Sequence, residues 1–259
     1  MHFIVNDFDL YYEKYGENEE PILILPGWGD TRETFLPLIE TLKEHFTIYI
    51  IDYPGFGKSS FPNRDLYIED YAILIKDFIK VNHLENTNII AHSFGGRILS
   101  FLKGKYELPL SKIILMDIAG LKNKKTLKQK IKEKTYKLLK KIKYFLPKKQ
   151  KENYLNFLIQ IFGSNDFQQL PPQIRNTFIH IVQEDLEENF KNIKGDILII
   201  WGENDQITSL SDGRKIHNLI KGSILIPIKN ATHFPYIEQK QLVTNIILSY
   251  LLPKEKRNN

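Results

Sequence analysis

Short apolar runs alternate with helix-like segments along most of this chain. Six runs rich in Ile and Leu lack the apolar–polar alternation of half-exposed strands, and such continuous apolarity is typical of strands buried on both faces of a sheet. These runs are Pro21–Pro26, Phe46–Asp52, Thr87–His92, Lys112–Asp117, Asp196–Trp201 and Ser223–Ile228. The stretches between them predict helices near residues 32–44, 68–82, 94–104, 210–220 and 237–251.

This alternation of strand and helix predicts an α/β fold, in which a mostly parallel β-sheet carries helices on both faces. The first segment with strand character, Phe8–Tyr15, differs from the others because its apolar and polar residues alternate. We therefore expect this segment to be an antiparallel strand at the edge of the sheet.

One long interval, residues 121–192, breaks the rhythm because it contains only helical patterns. We expect residues 1–120 and 193–259 to form the two parts of the α/β core. Residues 121–192 are then an all-helical insertion, which we interpret as a cap over the carboxyl edge of the sheet. Open α/β sheets bind their ligands at that edge.

Three helices are predicted within the cap. The first is rich in lysine, ends at Pro147, and carries an apolar stripe that consists of Leu127, Ile131, Leu138, Ile142 and Phe145. The second and third helices fit Glu152–Phe162 and Pro172–Val182.

Composition narrows the class of protein. The chain of 259 residues has no cysteine, which excludes disulfides and thiolate metal sites. No apolar run approaches the ~18 residues of a membrane-spanning helix, and the first residues, with Asp7 and Asp9, lack the basic segment of a signal peptide. We therefore expect a cytoplasmic protein, and no motif indicates a cofactor or a metal.

Charge is distributed unevenly along the chain. Residues 122–151 contain 14 lysines and one acidic residue, Glu133, so this segment carries a charge of +13 although the whole chain carries only +5. One interpretation is a solvated lysine-rich helix. The other is recognition of an anionic partner, such as an acidic or carrier-protein-bound substrate or an anionic membrane surface. Nucleic acid is not expected, because few aromatic residues are interleaved for stacking.

The sequence NIIAHSFGG places Ser93 between a predicted buried strand and a predicted helix, with small residues around it. A nucleophilic serine on a sharp strand-to-helix turn needs such neighbours, and the usual pattern is Gly-x-Ser-x-Gly. Here Ala91 takes the place of the first glycine and Gly95 is the second. A serine at this position is also an ordinary helix cap, so the motif alone leaves both interpretations open.

Two other residues complete a candidate triad in the order serine, acid, histidine. Asp205 and His233 each follow a predicted strand, so both are expected at the same sheet edge as Ser93. Asp117, which ends an earlier strand, is the alternative acid. The backbone N–H groups of Trp28, in the sequence LPGWGD, and of Phe94 are candidate oxyanion donors.

The sequences PGWGD and DYPGFGKS, the Ser93 turn, and the Asp205 and His233 loops together resemble the α/β-hydrolase fold superfamily. The similarity is greatest to lid-bearing bacterial serine hydrolases of the esterase, iminopeptidase and C–C hydrolase type. Two positions depart from the family pattern, because Pro26 replaces a frequent histidine and Ala91 replaces a glycine. Neither change removes a catalytic atom.

The resemblance implies a serine hydrolase, and we expect it to cleave a carboxylic ester through an acyl-enzyme. Three alternatives stay open: an aminopeptidase or amidase, which would use Glu184, Asp185 or Glu187 to hold an ammonium group; a C–C bond hydrolase; and a non-catalytic ligand receptor. Candidate pocket residues are Phe56, His180 and Phe234.

Overall fold

Eight strands pair into one twisted sheet in the computed structural model, which describes residues 1–5, 7–122, 127–163 and 165–253. The strands are β1 (His2–Val5), β2 (Phe8–Tyr15), β3 (Pro21–Leu25), β4 (Thr47–Ile51), β5 (Asn88–His92), β6 (Lys112–Met116), β7 (Asp196–Gly202) and β8 (Ile224–Ile228). Their spatial order is β1-β2-β4-β3-β5-β6-β7-β8. All neighbours from β4 to β8 are parallel, while β1–β2 and β2–β4 are antiparallel.

The position of β2 differs from the sequence prediction. This strand is antiparallel to its neighbours, but it is not the edge of the sheet, because β1 pairs along it with Val5 opposite Phe8. With only four residues, none of them fully buried, β1 is too short to produce a clear apolar pattern.

Helices flank the sheet on both faces and also make up the inserted segment. They are α1 (Arg32–Leu42), α2 (Ile68–Val81), α3 (Phe94–Lys105), α4 (Leu127–Lys140), α5 (Lys148–Phe162), α6 (Asn165–Gln169), α7 (Arg175–Gln183), α8 (Glu187–Asn192), α9 (Leu210–Leu219), α10 (Pro235–Glu238) and α11 (Lys240–Leu251). The predicted helix over 237–251 is therefore two helices. Within the described ranges, no helix combines the length and the apolar character needed to cross a bilayer.

The continuous apolarity of the central strands follows from two separate cores. In β5, Ile89 and Ala91 face a core that α2, α3, α8 and α9 cover, whereas Ile90 faces a second core under α1 and α11. Successive side chains of a strand point to opposite faces, so a strand covered on both sides has no polar positions. Because β3 to β8 are parallel, their carboxyl ends all lie at one edge of the sheet, beneath the inserted helices.

The inserted segment contains α4 to α8, with bounds that differ from the prediction. The lysine-rich helix α4 gives way to a 3₁₀ turn at Lys141–Phe145, and Pro147 precedes α5, which begins four residues earlier than predicted. The third helix begins as a 3₁₀ turn at Pro172–Ile174 and continues as α7. The side chain of Leu127, part of the predicted stripe, lies outside the described residues.

Candidate active site

Ser93 occupies a strained turn between β5 and α3. Its φ of 46° and ψ of −109° lie in a region that L-residues rarely adopt. Two main-chain hydrogen bonds hold the turn, because the Ser93 N–H donates to the Met116 carbonyl at 3.1 Å and the Ser93 carbonyl accepts from the N–H of Ala119 at 3.1 Å. Strand β6 and the loop after it thereby fix the position of the serine.

The small residues after Ser93 are required by close backbone packing. A Cβ on Gly95 would lie 2.1 Å from the carbonyl oxygen of Leu25, and a Cβ on Gly96 would lie 2.3 Å from the Ile118 side chain. Both distances are shorter than any van der Waals contact. The glycines therefore allow α3 to start directly against β3 and the end of β6.

Three side chains from distant parts of the sequence form a hydrogen-bonded row at the sheet edge. His233 Nε2 lies 3.0 Å from Ser93 Oγ, and His233 Nδ1 lies 2.7 Å from Asp205 Oδ2. With the carboxylate as acceptor, Nδ1 carries the proton and Nε2 is left to accept from the serine hydroxyl. Asp205 and His233 are each only 6% exposed, while Ser93 is more accessible.

The surroundings of Asp205 favour its ionised form. Burial alone would raise its pKa, but hydrogen bonds from His233, Thr208 and the N–H of Ile207 lower it, and the net shift of the pKa is downward. The N–H groups of Ile207 and Thr208 lie 2.7 and 3.1 Å from Oδ1, and the Thr208 hydroxyl lies 2.7 Å from Oδ2. A carboxylate held in this way can orient the imidazole and stabilise it when it becomes charged.

Asp117, the alternative acid, lies in a different environment. Its Oδ1 accepts the N–H of Gly202 at 2.8 Å, while its Oδ2 is buried without a partner in the described part of the chain. Burial, together with repulsion from Asp205, raises the pKa of Asp117 to about 9. Asp117 is therefore protonated at neutral pH, and the carboxylate bonded to His233 is that of Asp205.

A cation site is conceivable at Asp117, Asp205 and His233, because potential ligand atoms of these three residues lie within 4.8 Å of one another. The hydrogen bond between Asp205 and His233 occupies two of these ligands. A protonated carboxyl such as that of Asp117 is a poor third one. The chemistry of the group therefore suits proton transfer better than metal binding.

His92 is next to Ser93 in sequence, but its side chain is hydrogen-bonded to the main chain of His233 and not to Ser93. Its Nε2–H donates to the main-chain carbonyl of His233 at 2.8 Å, and Nδ1 lies 3.4 Å from Asp30 Oδ2. Burial lowers the pKa of His92 despite the nearby Asp30, so its ring is neutral at pH 7. It fixes the loop that carries His233.

Ser93 and His233 open into a cavity of about 570 Å³ between the sheet edge and the inserted helices. Aromatic residues predicted for the site line it: Trp28, Phe56, Phe94 and Phe234. His180 does not line this cavity, contrary to the sequence prediction, because its ring lies 4.4 Å from that of Tyr67 instead. On α7, Phe178, Ile181 and Val182 face the cavity in its place.

Trp28 and Phe94, the candidate oxyanion donors, are held side by side. Their rings meet edge to face with centroids 5.0 Å apart, and both residues line the cavity next to Ser93. Among the described residues, no acceptor is bonded to the main-chain N–H of either one. Both donors therefore remain available to a ligand.

Comparison with known proteins agrees with this architecture. The family model for the alpha/beta hydrolase fold matches residues 20–136. The uncharacterized hydrolase YugF of Bacillus subtilis is 25% identical over 266 aligned positions, which cover 96% of each chain. Lipase 3 of Moraxella sp. is 27% identical over 250 positions, which cover 86% of this chain and 76% of the lipase.

A solved structure extends the likeness of the fold to almost the whole chain. The esterase EaEST of Exiguobacterium antarcticum superimposes with a TM-score of 0.75 at 22% identity, covering 95% of this chain and 96% of the esterase. The chain is a member of the α/β-hydrolase superfamily.

Sequence reasoning missed two charged residues, Asp30 and Arg97, in the cavity of this α/β-hydrolase. Arg97, four residues after Ser93 on α3, lines the cavity and is only 5% exposed. Its guanidinium donates to the main-chain carbonyls of Ile181 and Glu184 near the end of α7. Residues four apart share one face of a helix, so the spacing from Ser93 predicts that Arg97 lies on the same side of α3 as the serine. A single arginine on a helix normally faces solvent, however, and so gives no signal of burial.

A second cavity of about 430 Å³ lies among the inserted helices of the hydrolase. Its walls are mainly apolar, and it adjoins the catalytic cavity because Phe178 and Val182 line both. From α4, the side chains of Lys132, Glu133 and Tyr136 face this space. No sequence pattern indicated it, since it arises from the way four helices, α4 to α7, pack together.

Proposed function

We propose that this α/β-hydrolase cleaves carboxylic esters with Ser93, His233 and Asp205 as its catalytic triad. The observation that carries the proposal is the continuous hydrogen-bonded row from Ser93 Oγ through His233 to Asp205 Oδ2, at 3.0 and 2.7 Å. The names of two similar proteins, a lipase and an esterase, support ester substrates. The aromatic walls of the cavity suit an apolar acyl or alcohol group.

Acylation follows from the geometry. Ser93 Oγ attacks the ester carbonyl carbon while His233 Nε2 takes the hydroxyl proton, and Asp205 stabilises the imidazolium that results. The carbonyl oxygen becomes an oxyanion, which the N–H groups of Trp28 and Phe94 stabilise. When the C–O bond to the alcohol breaks, His233 returns its proton to the leaving oxygen, and the acyl group remains on Ser93.

Deacylation repeats these steps with water. His233 removes a proton from a water molecule, which attacks the acyl carbon and forms a second oxyanion in the same place. The bond to Ser93 Oγ then breaks, and the proton on His233 returns to the serine. The products are one carboxylic acid and one alcohol, and the enzyme is restored.

The acidic residues on which the aminopeptidase alternative depends are not part of the cavity lining. Glu184, Asp185 and Glu187 do not line the catalytic cavity, and Glu187 pairs with Lys215 at 2.6 Å. The charged side chains that line the cavity are instead those of Asp30 and Arg97. The buried guanidinium of Arg97 would repel a substrate ammonium, whereas the acidic side chain of Asp30, next to His92, would attract one. We therefore favour neutral esters.

A fluorophosphonate probe and a panel of p-nitrophenyl esters test the proposal. The wild type should be labelled and should hydrolyse esters, while Ser93→Ala should lose both properties. Ser249→Ala, which removes an exposed hydroxyl on α11, is the matched control and should keep both. A wild type that binds esters without turnover or labelling would support the receptor alternative, and turnover of a C–C or amide substrate in preference to all esters would replace the ester assignment.

A further inference from the structure

The outer surface of α4 and of the 3₁₀ turn that follows it carries an apolar stripe in solvent. Four of its side chains have large exposed fractions: Ile131 58%, Leu138 66%, Ile142 43% and Phe145 88%. We name these four residues the cap stripe. Tyr144, beside Phe145, is 71% exposed. Monomeric soluble proteins seldom expose contiguous apolar patches without using them for binding.

The cap stripe faces away from the protein. At 100° per residue, Ile131 and Leu138 lie on the side of α4 opposite to Tyr136, which packs toward Phe162 with ring centroids 5.8 Å apart. In the 3₁₀ turn, Ile142 and Phe145 are three residues apart and therefore project in the same direction. Helix α4 packs against the rest of the protein through its inner face. The apolar side chains on its outer face are therefore not needed for that packing.

Lysines surround the cap stripe. Residues 122–151 contain 14 lysines and only one acidic residue. Lys134 and Lys141 are exposed next to the stripe on the helical surface. A helix with an apolar face and lysine flanks has the composition of helices that lie in the plane of a membrane interface.

We propose that the cap stripe and the lysines around it are a docking surface for an anionic lipid bilayer. The lysines match the negative potential of anionic headgroups, and the apolar side chains enter the acyl boundary beneath them. Membrane binding is measured without turnover, so the proposal is independent of the proposed esterase function.

Two other occupants, a second copy of the chain and nucleic acid, fit the surface less well. A second copy of the chain would bring two segments of +13 together, and like charges in contact oppose association. Nucleic acid offers phosphates for the lysines but no apolar layer for Leu138 or Ile142. An acidic protein with an apolar groove matches both features, and the experiment below separates it from a bilayer.

The surface also has a path to the catalytic site. The inner face of α4 borders the second cavity through Lys132, Glu133 and Tyr136, and that cavity shares Phe178 and Val182 with the catalytic one. A lipid chain lifted from the bilayer beside α4 would meet apolar walls on the way to Ser93.

Vesicle flotation tests the docking surface with the full-length chain carrying Ser93→Ala, which prevents hydrolysis of the lipids. Vesicles of phosphatidylcholine with phosphatidylglycerol are compared with pure phosphatidylcholine. We expect binding only to the anionic vesicles, and weaker binding as salt is added. Replacing Leu138, Ile142 and Phe145 together by serine should abolish binding. Lys134→Gln with Lys141→Gln should weaken it about fivefold for each lysine.

The matched control removes similar groups from elsewhere on the surface. Ile4→Ser with Lys229→Gln and Lys240→Gln takes away one exposed apolar side chain and two exposed lysines, and it should bind like the parent. Far-UV circular dichroism checks that every variant is folded, which is expected because all the changed side chains are exposed.

Four outcomes would overturn the proposal. The first is an absence of binding to anionic vesicles at low salt, and the second is undiminished binding by the triple serine variant. The third is capture of poly-L-glutamate without any capture of vesicles, which would assign the surface to an acidic protein. The fourth is a concentration-dependent dimer that the triple serine variant abolishes, because the stripe would then join two copies.

Discussion

His233 Nδ1 lies 2.7 Å from Asp205 Oδ2, whereas the structure gives Asp117 a hydrogen bond to the main chain of Gly202 instead. Two buried acids thus stand beside one histidine, and only one of them is bonded to its ring. Asp205→Asn should lower kcat for ester hydrolysis by about 10³–10⁴, because the amide favours the wrong imidazole tautomer. KM should change little.

Asp117→Asn is the control for this measurement, and its kcat should fall by less than about tenfold, since a protonated carboxyl and an amide are both neutral. Steady-state kinetics on one soluble ester suffice for both variants. The larger loss in Asp117→Asn would transfer the role of triad acid to Asp117.

Asp117 should also make stability depend on pH. Its pKa is near 3.9 in an unfolded chain and about 9 in the fold, so the folded state holds an extra proton between these values. Its contribution to the free energy of unfolding is therefore largest at low pH and falls as pH rises through this window. Between about pH 5 and 8, the free energy of unfolding of Asp117→Asn should fall by about 2–4 kcal/mol less than that of the wild type.

Urea unfolding at the two pH values measures this effect, with Glu203→Gln, an exposed acid on the loop after β7, as the control. An equal slope of stability against pH in wild type and Asp117→Asn would mean that Asp117 is ionised in the fold.

The turn at Ser93 was predictable from sequence for a definite physical reason. Only small residues fit where α3 starts against β3 and β6. The small residues Ala91, Gly95 and Gly96 around Ser93 therefore predict a tight turn at this point. Strands β3 to β7 were equally predictable, because burial on both faces leaves little room for a polar residue. The apolar run of β8 predicted a strand as well, but β8 lies at the edge of the sheet, where Ile224 is 52% exposed.

Other features could not be predicted because they depend on partners far away in sequence. The short edge strand β1 has an apolar run of only three residues, Phe3 to Val5, and its register is set by pairing with β2. Arg97 is buried only because the end of α7 lies over it. His180 lies on the same helix as residues that do line the cavity, and only the rotation of α7 in the fold decides that Phe178, Ile181 and Val182 face it instead.

Gly95→Ala tests the close approach of α3 to β3. The added methyl group would overlap the Leu25 carbonyl oxygen, and we expect a loss of about 3 kcal/mol or more in the free energy of unfolding. Gly222→Ala is the contrasting variant, because Gly222 has a φ of 82° but open space around it. Its loss should be only about 1–2 kcal/mol, which is the conformational penalty alone. Equal losses in urea unfolding would show that α3 can move away from β3.

Arg97 should matter for stability as well as for the cavity. Arg97→Met leaves the buried carbonyls of Ile181 and Glu184 without their donor, and each such loss costs about 1–3 kcal/mol. Removal of a buried charge offsets part of this cost, so a net destabilisation of about 2 kcal/mol is expected. Arg214→Met, which removes an exposed arginine from α9, is the control and should leave the stability nearly unchanged. An Arg97→Met variant as stable as the wild type would mean that the charge costs as much as its bonds contribute.

Phe178 should limit the length of the acyl chain. Because it lines both cavities, Phe178→Ala should join them and raise kcat/KM for long-chain esters relative to short ones. Each methylene that enters the apolar space contributes about 0.8 kcal/mol, or roughly fourfold. Phe157→Ala, at an exposed phenylalanine of α5, should leave the chain-length profile unchanged. A profile in Phe178→Ala that matches the wild type would mean that substrates do not reach the second cavity.

Hydrogen bonds divide the inserted segment into two parts: α7 and α8 are bonded directly to the α/β core, whereas α4 and α5 are connected to it through α7. Helices α7 and α8 are fastened to the sheet layer, since the N–H of Leu186 donates to Gly120 at 2.9 Å and the hydroxyl of Thr177 accepts from Leu66 at 2.9 Å. Helix α5 reaches α7 through Arg175, 3.1 Å from Asn156, and α4 packs against α5. Of these helices, α7 lines the cavity at Ser93, whereas α4 and α5 line only the second cavity. A displacement of α4 and α5 would therefore reshape the second cavity and leave the α7 wall beside Ser93 in place.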